Sequence, residues 1–227
     1  MREIVLDTET TGLDPATGDR IVEIGAVELF NYLPTGRSYH QYINPERPMP
    51  PDAFEVHGLG DDFLRDKPKF RQIAHDFLAF IDQAPLVIHN ASFDMKFLNA
   101  ELAAAGLPQL SPSRAKDTLM MARKKFPGSP ASLDSLCRRF GIDNSAREKH
   151  GALLDSEILA EVYLELVGGR QPDLSLAPEQ RSLAADGAEW RSFPRPQPLA
   201  SRITPDEAAA HRAFVASLGD TTLWPKD

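Results

Sequence analysis

Apolar and polar positions along the first 167 residues alternate in two distinct rhythms. Arg2–Glu9 and Arg20–Phe30 are β-branched runs, and Tyr39–Asn44 continues the pattern before a Pro-rich loop at Pro45–Pro51, which predicts three strands. Phe70, Ile73, Phe77 and Phe80 recur at helical spacing and predict a helix over Phe70–Gln83. Pro85–His89 (PLVIH) is a short candidate for a buried strand. Asn90 then stands where an N-cap belongs, opening a helix to Ala105 that Gly106 and Pro108 close. Further helices are predicted over Thr118–Lys125, Ser132–Phe140 and Ala152–Val167. Strands first, then strands with helices, predict an α/β domain built on a mixed sheet with helices on its faces.

The rhythm breaks at Gly168-Gly169. From Pro172 to Pro205 prolines are frequent and large apolar residues sparse, so Gly168–Ile203 reads as a flexible linker. Thr204-Pro205-Asp206-Glu207 is a capping box with proline at the first helical position. It opens a short helix for which Gly219 is the expected stop. His211, Phe214, Val215 and Leu218 form a narrow apolar stripe along it, and Leu223-Trp224-Pro225 adds an indole beyond. The expected division is therefore 1–167, 168–203 and 204–227.

Composition bounds the function. The 227 residues are 42% hydrophobic and 26% charged, the mixture of a globular chain rather than a fibrous or disordered one. No apolar run reaches the roughly 18 residues of a spanning helix, and acids within the first ten residues speak against a signal or transit peptide. Cys137 is the single cysteine, which excludes an internal disulfide and a thiolate zinc site. A cytoplasmic protein is expected. The net charge is −8, and residues 1–167 hold nearly all of it. That balance disfavours gripping duplex DNA by phosphate neutralisation. It leaves room for acids that hold cations, which then meet phosphates.

Three acidic segments are candidates for that chemistry. Asp7 and Glu9 in IVLDTET share one face of a strand, about 6.5–7 Å apart along the backbone, and two carboxylates so placed can hold hard cations such as Mg²⁺. The same spacing also suits the solvated face of an edge strand. Asp94, in Asn90-Ala91-Ser92-Phe93-Asp94, falls in the first turn of its helix, where an acid also simply suits the helix dipole. His150 and Asp155 are five residues apart, about 140° around a helix, so they share a site only if Gly151 leaves His150 in the preceding loop. Otherwise His150 is a solvent-facing histidine beside a surface or capping acid.

Taken together, D-x-E in the first strand, N-x-x-F-D opening a helix and H-x-A-x-x-D near the last helix resemble the DEDD exonuclease superfamily, in its histidine-bearing branch. The resemblance covers residues 1–167. VLDTETTGL (5–13), RIVEIGAVEL (20–29), AFEVHGL (53–59), LVIHNASFD (86–94) and HGALLDSEILAEVYLEL (150–166) narrow it to the proofreading exonucleases of bacterial replicative polymerases. It implies a ribonuclease-H-like fold and a 3′–5′ exonuclease that removes mispaired 3′-terminal nucleotides as 5′-monophosphates. Carried over by motif, Asp7, Glu9, Asp94 and Asp155 would bind two divalent cations, Mg²⁺ or Mn²⁺, with His150 as general base. Asp7, Glu9, Asp52, His57 and Asp155 would meet the nucleotide. His57 matches the V-H-G loop of the family, while Asp52 stands where the family usually has Glu, a shorter reach. His89 reads as a supporting residue at a strand end.

The resemblance also supplies partners. Gln171-Pro-Asp-Leu174-Ser-Leu176 resembles the short motif that binds the sliding clamp (beta). The tail, through Phe214, Leu218, Leu223 and Trp224, would bind the polymerase catalytic (alpha) subunit, and a small theta-like subunit could join. The substrate would be a single-stranded or frayed primer 3′ end, with no membrane involved. Arg123-Lys124-Lys125-Phe126 and Arg138-Arg139-Phe140 pair bases with an aromatic, as single-strand surfaces do, although each phenylalanine also fits a core position. The competing readings are a free-standing exonuclease trimming RNA or DNA ends, and a catalytically idle polymerase adaptor.

Overall fold

The computed structural model describes residues 1–145, 147, 149–169 and 203–218. Five strands form one mixed sheet in the order β3-β2-β1-β4-β5. β1 (Arg2–Thr10) lies at its centre, antiparallel to β2 (Ile21–Phe30) and parallel to β4 (Leu86–Ile88). β3 (Leu33–Tyr42) closes one edge as the antiparallel partner of β2, and β5 (Ala115–Asp117) the other as the parallel partner of β4.

Alternation along β1 divides the core in two. Ile4 and Leu6 face one side with Ile24, Phe70, Phe77 and Leu98. Val5 faces the other with Val87, Leu136, Leu159 and Tyr163. The first side is covered by α3 (Phe70–Ile81) and α4 (Ala91–Ala104). The second is covered by α5 (Thr118–Lys125), α6 (Leu133–Phe140) and α7 (Ala152–Leu166). A central strand buried on both faces excludes the solvated edge strand that the D-x-E spacing alone allowed.

Differences from the sequence reading have local causes. β3 starts at Leu33 rather than Tyr39. Its first half, LPTGRS, is exposed, so no apolar alternation announces it. The Pro-rich loop ends one residue sooner, because Pro51 opens α1 (Pro51–His57), where a missing N–H costs nothing. His57 is thus the last residue of a helix and buried, rather than part of a loop. The short helix α2 (Asp61–Leu64) and the three-residue β5 are too brief for periodicity to reveal. Asn90 does precede α4, but in the left-handed region (φ 65°) and without a side-chain bond to the helix N–H groups. The backbone carbonyl of Asn90 accepts from Phe93 N–H at 3.0 Å, and its side-chain oxygen accepts from the Ser92 hydroxyl at 3.4 Å.

The chain divides into two compact units, Met1–Leu174 and Ser175–Asp227. In the second, α8 (Pro205–Ser217) opens on the capping box. The Thr204 hydroxyl accepts from Glu207 N–H, and the Glu207 carboxylate accepts from Thr204 N–H at 2.9 Å. Phe214 and Leu218 are exposed and Val215 is buried. Gln171, Leu174, Leu176, Leu223 and Trp224 lie outside the described residues, as does most of the stretch read as linker. Among the described residues no helix is long and apolar enough to cross a membrane.

Candidate active site

The parallel pairing of β1 with β4 brings the C-terminal ends of both strands to one end of the sheet. β1 delivers Asp7 and Glu9 there, and the chain leaving β4 turns at Asn90 into α4, with Asp94 in its first turn. The Thr8 hydroxyl donates to Asp94 Oδ1 at 2.8 Å and ties the two segments together. Asp7 lies opposite Gly25 on β2. A Cβ at Gly25 would meet the Ala152 carbonyl carbon at 2.1 Å, so the missing side chain lets the start of α7 lie directly on the sheet. Ser156 Oγ fastens it by donating to the Gly25 carbonyl at 2.9 Å. One turn into α7, Asp155 is thereby brought to the other acids.

Gly151 is the N-cap of α7, and His150 sits in the loop before it. The His150 N–H donates to the Val56 carbonyl at 3.2 Å and anchors that loop to α1. Its ring is half-exposed, with Nδ1 3.5 Å from Asp155 Oδ2. Asp7, Glu9, Asp94, His150 and Asp155 all line one cleft of about 520 Å³, together with His89, Phe93, Arg123, Asp134 and Arg147. Donor atoms of Glu9, His150 and Asp155 lie within 4.8 Å of one another.

The acids are held at a cost. Burial, then repulsion from Asp94, Glu9 and Asp155, holds Asp7 well above the usual carboxylate range. Burial, reinforced by Asp155 and Glu23, pushes Glu9 to about 8. Burial also pushes Asp94 to about 7, against the hydrogen bond from Thr8. Burial lowers His150, and the Arg147 guanidinium lowers it further, so the ring is neutral at pH 7. Glu9 Oε1 is buried with no hydrogen-bond partner among the described residues. Converging hard oxygen donors and an orphaned buried carboxylate oxygen fit divalent cations such as Mg²⁺ or Mn²⁺.

Other predicted residues fall elsewhere. Asp52 is exposed in the first turn of α1 and does not line the cleft. His57 does not line it either; its Nδ1 accepts from Leu59 N–H at 3.0 Å, and Nε2 is buried without a partner among the described residues. His89, by contrast, lines the cleft, and its Nδ1 bonds Thr118 Oγ1 at 2.9 Å. Phe126 and Phe140 pack on the core, and the Arg139 guanidinium lies 4.4 Å over the Phe126 ring. Lys125 Nζ donates to the Glu165 and Leu166 carbonyls and closes the end of α7. Of these basic runs, Arg123 alone reaches the cleft lining. Gly25 and Arg147 escaped the sequence reading. A glycine inside a strand was a usable sign of close backbone approach, whereas an arginine in a polar loop gave none.

Residues 4–163 match the RNase T exonuclease family. The polymerase III epsilon subunit of Rickettsia felis is 50% identical over 224 residues, covering 96% of this chain and 97% of that protein. The epsilon subunit of Escherichia coli is 44% identical, covering 98% and 97%. The chain belongs to the DNA polymerase III epsilon family. Epsilon subunits are 3′–5′ exonucleases that proofread for the replicative polymerase, and this chain shares that hydrolase function. Among solved structures, exonuclease X in complex with 5′-overhanging duplex DNA superposes with a TM-score of 0.56 at 25% identity, over 72% of this chain and 90% of that one. The nuclease domain of 3′hExo, a DEDDh family member bound to rAMP, gives 0.61 at 20% identity, over 73% and 91%. These confirm the ribonuclease-H-like fold expected of an epsilon-type nuclease.

Proposed function

We propose that Asp7, Glu9, Asp94 and Asp155 hold two divalent cations, Mg²⁺ or Mn²⁺, and that His150 is the general base in hydrolysis of the 3′-terminal phosphodiester. The observation that carries this reading is the convergence of four carboxylates around the unpartnered Glu9 Oε1. When bound, the cations supply charge stabilisation to the phosphoryl group and balance the four carboxylates. His150, neutral at pH 7 and on a loop at the cleft edge, can take a proton from water. Asp7, Glu9 and Asp155 then lie against the terminal nucleotide, with Asp52 and His57 of α1 contacting it from beyond the present cleft lining. The substrate on this reading is a single-stranded or frayed primer 3′ end.

The chain's parts follow the same logic: an exonuclease domain over 1–167, a clamp-binding linker over 168–203 and a polymerase-binding tail over 204–227. The beta clamp would take Gln171, Leu174 and Leu176. The alpha subunit would take the tail, and a theta-like subunit could complete a cytoplasmic polymerase core. The test is hydrolysis of a primer with a mispaired 3′ end. Wild-type protein should release 5′-monophosphates with Mg²⁺ or Mn²⁺ and stop with chelator. Near-normal rates in an Asp7→Ala, Glu9→Ala double variant would sink the assignment.

A further inference from the structure

One cation inside the cleft belongs to the chain itself. Arg147 is half-buried, its side chain 9% exposed, and each of its nitrogens is engaged. Nε and Nη2 grip both Asp155 oxygens as a fork, with Nη2 at 2.8 Å from Oδ2. Nη1 donates to Asp134 Oδ1 at 2.8 Å. Nη2 also reaches His150 Nδ1 at 2.8 Å. An arginine is always a donor, so Nδ1 must be the acceptor and the neutral ring carries its proton on Nε2. In this arrangement neither ring nitrogen is free to take a proton, and both oxygens of Asp155 are occupied.

We propose that Arg147 is a latch: it occupies Asp155 and His150 in place of a divalent cation, and cation binding must displace it before either residue can work. The proposal rests on the reading of Asp155 as a cation ligand. Two bonds within the fork and one to the base are released together, which couples loading of the site to arming of His150. Asp134, at the rim and half-exposed, keeps the guanidinium within reach of its partners. The latch also supplies a charge partner to a carboxylate that would otherwise repel Asp7 and Glu9 in the metal-free protein.

The apparent affinity of a ligand falls by the fraction of protein in its binding-competent state. Removing the latch must therefore tighten cation binding. Mn²⁺ is titrated calorimetrically into the full chain without DNA, comparing wild type with Arg147→Lys and Arg147→Ala. Both variants should bind Mn²⁺ about fivefold or more tighter than wild type, and both should melt at lower temperature than wild type without Mn²⁺. Lysine retains the charge but loses the fork, so it separates latching from a general field effect. Wild-type affinity in both variants, or in Arg147→Lys alone, overturns the latch. If no form binds Mn²⁺, the cation reading itself fails.

Discussion

Glu9 and Asp94 are acids whose ionisation the fold opposes, and this sets a measurable pH dependence. Their folded values, about 8 and about 7, lie above the ordinary 4.5 and 3.8. Between the two values of each pair, the folded state holds a proton that the unfolded state has lost. Stability of the metal-free protein must therefore fall as pH rises from about 4 to about 8. Thermal melts with chelator should show a lower Tm at pH 8 than at pH 5, by on the order of 5 °C, and Mg²⁺ should restore the loss. A rising Tm over that range would contradict the burial argument. Glu9→Gln removes the charge and keeps the shape. It should raise the metal-free Tm at pH 8 while cutting hydrolysis by about 10³-fold or more. If His150 is the proposed base, replacing it with Ala should lower kcat by roughly 10²–10⁴, while loss of its contact with Arg147 should leave cation affinity at or above that of wild type. At this scale Asp7, Glu9, Asp94, His150 and Asp155, which all line the cleft, were legible from motif and spacing. Arg147 was not, because its role depends on a loop folding back onto Asp155, which no local pattern encodes.

Elements position those residues, and the contact of α7 with β2 is the tightest. Gly25→Ala would force the start of α7 off the sheet, since the new Cβ would fall 2.1 Å from backbone. The expected cost is about 1–3 kcal/mol of stability, with activity lost more completely than stability because Asp155 moves with the helix. A circular-dichroism melt and an exonuclease assay on the same sample would show the two losses separately; full activity would refute the positioning role. Long periodic elements such as Phe70–Ile81 and Ala152–Leu166 were legible in the sequence to within a residue or two. Those that escaped were short, as β5 and α2 are, or lay on an exposed edge like the first half of β3. In these, tertiary contacts rather than apolar spacing decide the conformation.

For the whole molecule, the cleft draws, among the described residues, on positions 7–155, and the second compact unit begins at Ser175. Deleting 170–227 should leave hydrolysis of a free frayed end within about twofold, while removing the gain from effective concentration that tethering supplies. Size-exclusion chromatography with the polymerase catalytic subunit should show co-elution for the full chain and none for the truncation. Trp224→Ala should weaken the same complex without altering hydrolysis. Stoichiometric co-elution of the truncated form would place the tether elsewhere. Asp155 sits on α7, the last helix of the sheet domain, 148 positions after Asp7. A chain emerging from the ribosome therefore carries its first two acids long before the helix that completes the cleft. On the proposed assignment of Asp155, hydrolytic competence would arrive in one late step, and a fragment cut short before that helix would leave DNA ends intact.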